Sequence, residues 1–171
     1  MSDPTPSTLR KRILDLIVAR LKTDLPDVLN ISKDLRVWTK VAPDAFPVVY
    51  VVAGSGGSSD NQGSSHMRTE FIVHVHGYVR GQTDEPDGTS DARELLYGRV
   101  LDVLLSPALQ QDLIDDALGA HGTIPGATQG VLVDQLGGPE CDQGAFPGFG
   151  LFMQPIAVPL HYPRGGMSTT A

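Results

Sequence analysis

Two histidines, His74 and His76, lie two positions apart in a segment rich in β-branched residues. On a β-strand, residues i and i+2 project from the same face, so the two imidazoles leave the sheet side by side. Such a pair supplies either two ligands of a metal site or two polar groups on a surface that contacts a partner. Nothing in the sequence aligns a third ligand with them. We therefore expect the partner-facing surface, and neither a metal nor a cofactor.

Three other groups of residues lack the partners that their chemistry needs. Cys141 has no nucleophile signature around it, and thiol catalysis requires a base and an environment that lowers the pKa. Asp112, Asp115 and Asp116 form the acidic side of a short amphipathic helix. The glycine-rich run 54–59 follows a strand, as a phosphate-binding loop does, but it has no lysine and leads into another strand. The sequence therefore predicts that the protein is not an enzyme.

Composition excludes several classes of function. The chain has 171 residues, of which 40% are hydrophobic, and this is enough for one core without disulfides. No apolar run approaches the roughly 20 residues of a membrane helix, and the first residues do not resemble a secretory signal. The single cysteine suits a reducing compartment. A net charge of −7 weighs against nucleic acid as a partner.

The charge is unevenly distributed along the chain. Residues 1–40 hold eight basic and five acidic side chains, a net charge of +3. Because the whole chain has a net charge of −7, residues 41–171 have a net charge of −10. Complementary charges of this kind allow contact between copies or with a partner, although solvated faces are the more common explanation of such a distribution.

Three helices follow from the apolar spacing and from the residues that flank it. The first begins at residues 7–8, where Ser or Thr caps it, and ends before Pro26. The second begins at residues 89–90 and ends at Ser106, which in turn caps a short third helix over 108–118.

Five segments have the composition of strands: 36–41, 46–52, 67–80, 130–136 and 148–162. The order of elements predicts an α+β fold, a mostly antiparallel sheet with helices packed on one face. We expect a single domain over residues 1–171, with a flexible lead at 1–6 and a flexible tail at 164–171.

The strand over 67–80 has two different faces. Its core face carries Phe71, Val73, Val75 and Val79, and its other face carries Glu70, Ile72, His74, His76, Tyr78 and Arg80. The polar loop 54–65 joins this strand to the preceding one in a long hairpin and is predicted to be exposed and mobile. A second polar loop spans 81–88.

The order of these elements resembles that of the tail terminator, or tail completion, proteins of tailed bacteriophages. The resemblance extends over nearly the whole chain and rests on the first helix with Ile13, Leu16 and Leu21, on Phe46-Pro47-Val48-Val49-Tyr50-Val51, on Arg68 to Tyr78, on the helix Leu95 to Leu105 and on the closing Leu160-His161-Tyr162.

The resemblance implies a structural protein of the virion tail or neck, assembled in the host cytoplasm. It implies a ring, usually of six copies, that caps the tail tube, stops tube polymerisation and presents the surface that joins the neck or head connector. The partners would be other copies of the chain, the tube protein, the neck or connector protein and, in a contractile tail, the sheath protein. The family has no catalytic residues to carry over.

Candidate contact residues lie on the outward strand face and in the long loop: Ile72, His74, His76, Tyr78, Gly56, Gly57, Ser58, Asp60 and Asn61. Two other functions remain open. A neck or head–tail joining protein of the same virion would share nearly every feature. A small-molecule-binding α+β module would instead have an enclosed pocket with converging polar groups.

Overall fold

The computed structural model describes residues 6–55, 59–60, 66–81, 88–118, 133–142 and 148–163. The helices are α1 (Pro6–Asp24), α2 (Gly88–Leu104) and α3 (Pro107–Asp112), and α3 continues as a π-helical turn over Leu113–Leu118. The strands are β1 (Asn30–Ser32), β2 (Val48–Ala53), β3 (Ser59–Asp60), β4 (His66–Arg80), β5 (Asp134–Gln135), β6 (Glu140–Cys141) and β7 (Phe149–Pro163).

The described residues form one seven-stranded sheet in the order β1-β2-β4-β7-β5, with β3 beside β4 and β6 beside β7. All pairs are antiparallel except β1 with β2. The predicted α+β class and the mostly antiparallel sheet are confirmed. The centre of the sheet is the ladder between β4 and β7, which pairs fifteen residues of each strand from His66–Pro163 to Arg80–Phe149.

The helices pack on one face of this sheet through regularly spaced apolar side chains. In α1 these recur every four residues, at Leu9, Ile13, Ile17 and Leu21, and all four are buried. In β4 the facing residues are the four that the alternation predicted. The following strand residues are buried against the helices: Val49, Val51, Phe71, Val73, Val75, Val79, Phe152, Ile156 and Val158. Helix α1 ends two residues before Pro26, as predicted.

Residues 36–41 were predicted to be a strand, and this prediction was wrong. The segment contains a 3-10 turn at Trp38–Lys40, followed by a second at Pro43–Ala45. The physical reason lies in the sheet, because β1 already occupies the edge of β2 where a further strand would pair. The apolar side chains of the segment instead cover part of the face opposite the helices.

Other differences are smaller. Ser59–Asp60 pairs with β4 inside the segment predicted to be a mobile loop. Within the predicted strand 130–136, residues 134–135 pair with β7, and 130–132 lie outside the described residues. The two short edge strands β1 and β6 were not predicted, because two or three residues are too few to show alternation.

Candidate functional site

The face of the sheet opposite the helices is divided into two parts, and one of them is filled by aromatic side chains. Tyr50 and Tyr78 meet edge to face, with ring centroids 5.6 Å apart, and both are buried with Val48 beneath the segment that carries Trp38. Phe149 extends this cluster, since its ring centroid is 4.6 Å from that of Trp38. This part of the face belongs to the interior of the protein.

The other part, which we call the outer patch, consists of six half-buried side chains from three neighbouring strands: Val52, Ile72, His74, His76, Met153 and Pro155. The register brings them together in three neighbouring rows, with Ile72 paired with Ala157 in the first. His74 is paired with Val52 on one side and Pro155 on the other, and His76 is paired with Tyr50 and Met153. The outer patch is therefore an apolar surface with two imidazoles near its centre.

The two histidines of the outer patch interact with each other and with one carboxylate. Their ring centroids are 6.3 Å apart and the rings are tilted at 68°. The pKa of His76 lies below its ordinary value, chiefly because the ring is partly buried and also because His74 is close. The charge of Glu140, on β6, acts in the opposite direction. Protonation of His76 is thus disfavoured in the folded protein.

Gly54 closes one side of the outer patch with its backbone. Its amide donates a hydrogen bond to the carbonyl of Ile72 at 2.8 Å. A Cβ atom at this position would lie 2.8 Å from Ile72 Cγ2 and 2.9 Å from His74 Nε2, closer than real contacts allow. The absence of a side chain at Gly54 therefore lets the chain leave β2 directly against the histidine.

The structure places the predicted contact residues in different parts of the fold. Ile72, His74 and His76 lie together in the outer patch, whereas Tyr78 is 8% exposed and packs within the protein. Asp60 is a backbone partner of Arg68 in the β3–β4 pair. The remaining predicted contact residues, Gly56, Gly57, Ser58 and Asn61, lie outside the described residues.

The residues considered for chemistry have structural partners. Cys141 packs against the core, and burial is the main reason that the pKa of its thiol is raised. Asp112 on α3 accepts a hydrogen bond of 2.9 Å from Arg20 Nε on α1. Asp115 accepts one of 2.8 Å from Gln111. The thiol therefore contributes to packing, and the two carboxylates accept hydrogen bonds that stabilise the helices.

Two groups of hydrogen bonds that sequence reasoning missed, one around Asp142 and one around Gln154, fix the edge formed by β5 and β6. Arg93 on α2 donates a hydrogen bond of 2.6 Å to the carbonyl of Asp142, and Asp142 Oδ1 accepts one of 2.9 Å from the amide of Leu151. Gln154, only 1% exposed, accepts hydrogen bonds from Tyr97 and Gln135. These partners are far apart in the sequence, so no local pattern could have revealed them.

A second surface feature is an open groove of about 220 Å³ between α2 and the end of the sheet, lined by Phe46, Pro47, Val79, Arg80, Ala92, Leu95, Leu96 and Arg99. It is mostly apolar. One of its two cations, Arg99, donates hydrogen bonds to both carboxylate oxygens of Asp27 and thereby lowers the pKa of that carboxyl to about 2. Arg99 is therefore engaged within the protein.

Within the described ranges, no three His, Cys, Asp or Glu side chains are grouped so as to hold a metal ion. No helix in the same part of the chain is both long and apolar enough to cross a membrane. No protein-family model matches the sequence, and no curated protein matches it.

Proposed function

We propose that this protein is a structural component of a phage tail, a terminator that forms a ring on the end of the tail tube. The ring stops the addition of tube subunits and offers its free side to the neck or head connector. Its action is binding, and it uses no cofactor.

The observation that carries the proposal is the length of the β4–β7 ladder. Fifteen paired residues extend about 50 Å, whereas most strands have five or six residues. Phe71 and Val158 are paired in the helix-covered core, and the ladder continues for five further pairs, from Glu70–Pro159 to His66–Pro163. A ladder of this length suits contact with another subunit.

The outer patch supports the same proposal. Its half-buried side chains are contiguous and mostly apolar, and such patches mark contact sites on proteins. The patch lies on the face that the helices leave free, next to the part of the ladder that begins at Glu70–Pro159. A tube subunit that met the ladder would therefore also lie close to Ile72 and His74.

The test is to add the purified protein to polymerising tube protein and to examine the products by electron microscopy. We expect a ring at one end of each tube and tubes that stop growing. Ile72→Asp places a charge in the outer patch and should abolish capping. Leu95→Asp is the matched control, since Leu95 is 66% exposed on α2, on the opposite side of the sheet, and should cap normally.

Unchanged tube growth in the presence of the unsubstituted protein would contradict the terminator assignment. If the protein then bound a connector complex, it would be assigned to the neck of the virion. Thermal denaturation of both variants must show that they remain folded, so that lost capping by Ile72→Asp can be attributed to the surface.

A further inference from the structure

Two short strands, β1 and β6, lie at opposite edges of the sheet and belong to the same rows of paired residues. Ser32 on β1 is paired with Tyr50, and the row continues through His76 and Met153 to Glu140 on β6. The adjacent row begins at Ile31 on β1 and ends at Cys141 on β6. The two edge strands are therefore the opposite ends of the same rows of paired residues.

Both edge strands have a side available for pairing. Among the described residues, β1 pairs only with β2 and β6 pairs only with β7, and an unpaired edge presents N–H and C=O groups to another chain. The directions of the two edge strands also suit pairing between copies. Since β1 is parallel to β2 and each later step across the row is antiparallel, β1 and β6 run in opposite directions. Placing a second copy beside the first would make the new pair antiparallel.

The side chains at the two edges are complementary. Leu29, which is 72% exposed, directly precedes β1, and the exposed Leu136 directly follows β5, on the same edge of the sheet as β6. Residues 133–142 contain three carboxylates and no cation.

Two cations follow β1 in the sequence: Lys33, which forms an ion pair with Asp15 on α1, and Arg36, whose charge acts on the hydroxyl of Tyr50. On the β6 side, the charge of Glu140 acts on His76. Tyr50 and His76 are neighbours in one row on the outer face. Arg36 and Glu140, which have opposite charges, therefore act on neighbouring side chains of this row from the two edges of the sheet.

We propose that copies of this chain join edge to edge, with β1 of one copy antiparallel to β6 of the next and Arg36 of the first close to Glu140 of the second. Because two different edges meet, the contact is heterologous and closes into a ring when its rotation allows. The inference rests on the proposed function, since it names the contact by which the proposed ring closes. It also carries the sheet from one subunit into the next.

Cysteine cross-linking tests the pairing directly. Ser32→Cys and Glu140→Cys are introduced into separate chains that also carry Cys141→Ala, and the two proteins are mixed at high concentration under mild oxidation. Opposite residues of an antiparallel pair have Cα atoms about 4.5–5.5 Å apart, which lies within the range that a disulfide spans. We expect the mixed dimer to exceed either self-dimer by about tenfold, because the interface raises the effective concentration.

Two controls make the result specific. Ser32→Cys mixed with Ala108→Cys, in the same Cys141→Ala background, should give no excess, because Ala108 is exposed on α3, a helix that packs mainly against α1. A chain with both Ser32→Cys and Glu140→Cys should form covalent multimers. Self-dimers of Ser32→Cys as abundant as the mixed dimer would overturn the inference in favour of a two-fold contact, and no excess of mixed dimer would overturn it outright.

Charge reversal is an independent test. Arg36→Glu and Glu140→Arg should each reduce self-association, measured by analytical ultracentrifugation, and the double variant should restore it. Lys22→Glu, an exposed change on α1, should have no such effect. The two proposals fail separately. If rings formed on tubes but the mixed cross-link did not form, the terminator proposal would stand and this contact would be rejected. If the cross-link formed but the tubes were not capped, this contact would stand and the terminator proposal would be rejected.

Discussion

Gly77 lies at a position in the interior that has no room for a side chain. It is paired with Phe152 across the central ladder, and a Cβ at position 77 would overlap the Phe152 ring. That ring is buried and meets Tyr97 edge to face at 5.3 Å. We expect Gly77→Ala to lower the free energy of unfolding by about 1–3 kcal/mol through overpacking, measured by urea denaturation.

Gly98 provides the matched control for this substitution. It lies inside α2, and a Cβ there would meet no atom within 4 Å. Gly98→Ala should therefore raise the free energy of unfolding by about 0.5–1 kcal/mol, because alanine restricts the unfolded chain and favours the helix. Equal effects of the two substitutions would show that the space next to Phe152 is not limiting.

His76 gives the protein a sensitivity to acid that can be measured. Burial is the main reason that its pKa in the folded protein lies below the ordinary value of 6.5. The unfolded chain therefore binds the proton at a higher pH than the folded chain does, and stability is lost as the pH falls below about 6.5. We expect His76→Gln to reduce the loss of stability between about pH 7.5 and 5.5, measured by urea denaturation across this range.

The neighbours of His76 allow the sign of this effect to be checked. Glu140→Gln removes the charge that raises the pKa of His76, so the loss of stability on acidification should increase. His74→Gln removes the like charge and should reduce the loss. An NMR titration of the His76 ring protons would give the pKa directly. A loss that is the same in all three variants would mean that other groups cause the acid sensitivity.

At the scale of the elements, the sequence predicted best where a local signal was strong. Ser106 followed by Pro107 marks the start of α3, and Ser106 Oγ indeed accepts a hydrogen bond of 3.2 Å from the amide of Leu109. The alternation at 36–41 was equally regular and misleading, because a strand also needs a free edge to pair with. Local pattern does not reveal that β1 occupies that edge.

The cap at Ser106 has a measurable energetic role. Ser106→Ala removes the acceptor for the Leu109 amide and should lower the free energy of unfolding by about 1 kcal/mol. Ser106→Asp keeps an acceptor at the same place, so it should retain most of the stability. Thermal denaturation followed by circular dichroism compares the two. If both variants were equally destabilised, some other contact of the serine would be responsible.

At the scale of the whole molecule, the candidate surface was predicted in part. The alternation correctly separated Ile72, His74 and His76 from the core face. It could not show that Tyr78, on the same face, would be buried, since its cover comes from Trp38 and Phe46, more than thirty residues earlier in the sequence. The contribution of Glu140 also depends on tertiary structure, because β6 reaches the outer patch only through its pairing with β7.

A ring built by edge-to-edge pairing has a size that follows from the sheet. Five strands share the row from Ser32 to Glu140, so each copy adds about 24 Å of sheet width at about 4.8 Å per strand. Six copies would give a closed sheet about 140 Å around and about 45 Å across, or up to about 65 Å across if the strands were tilted by about 45°. Class averages of the rings from electron microscopy would measure this diameter. A six-membered ring with a sheet layer outside this range could not have a continuous sheet, and its copies would have to meet through other surfaces.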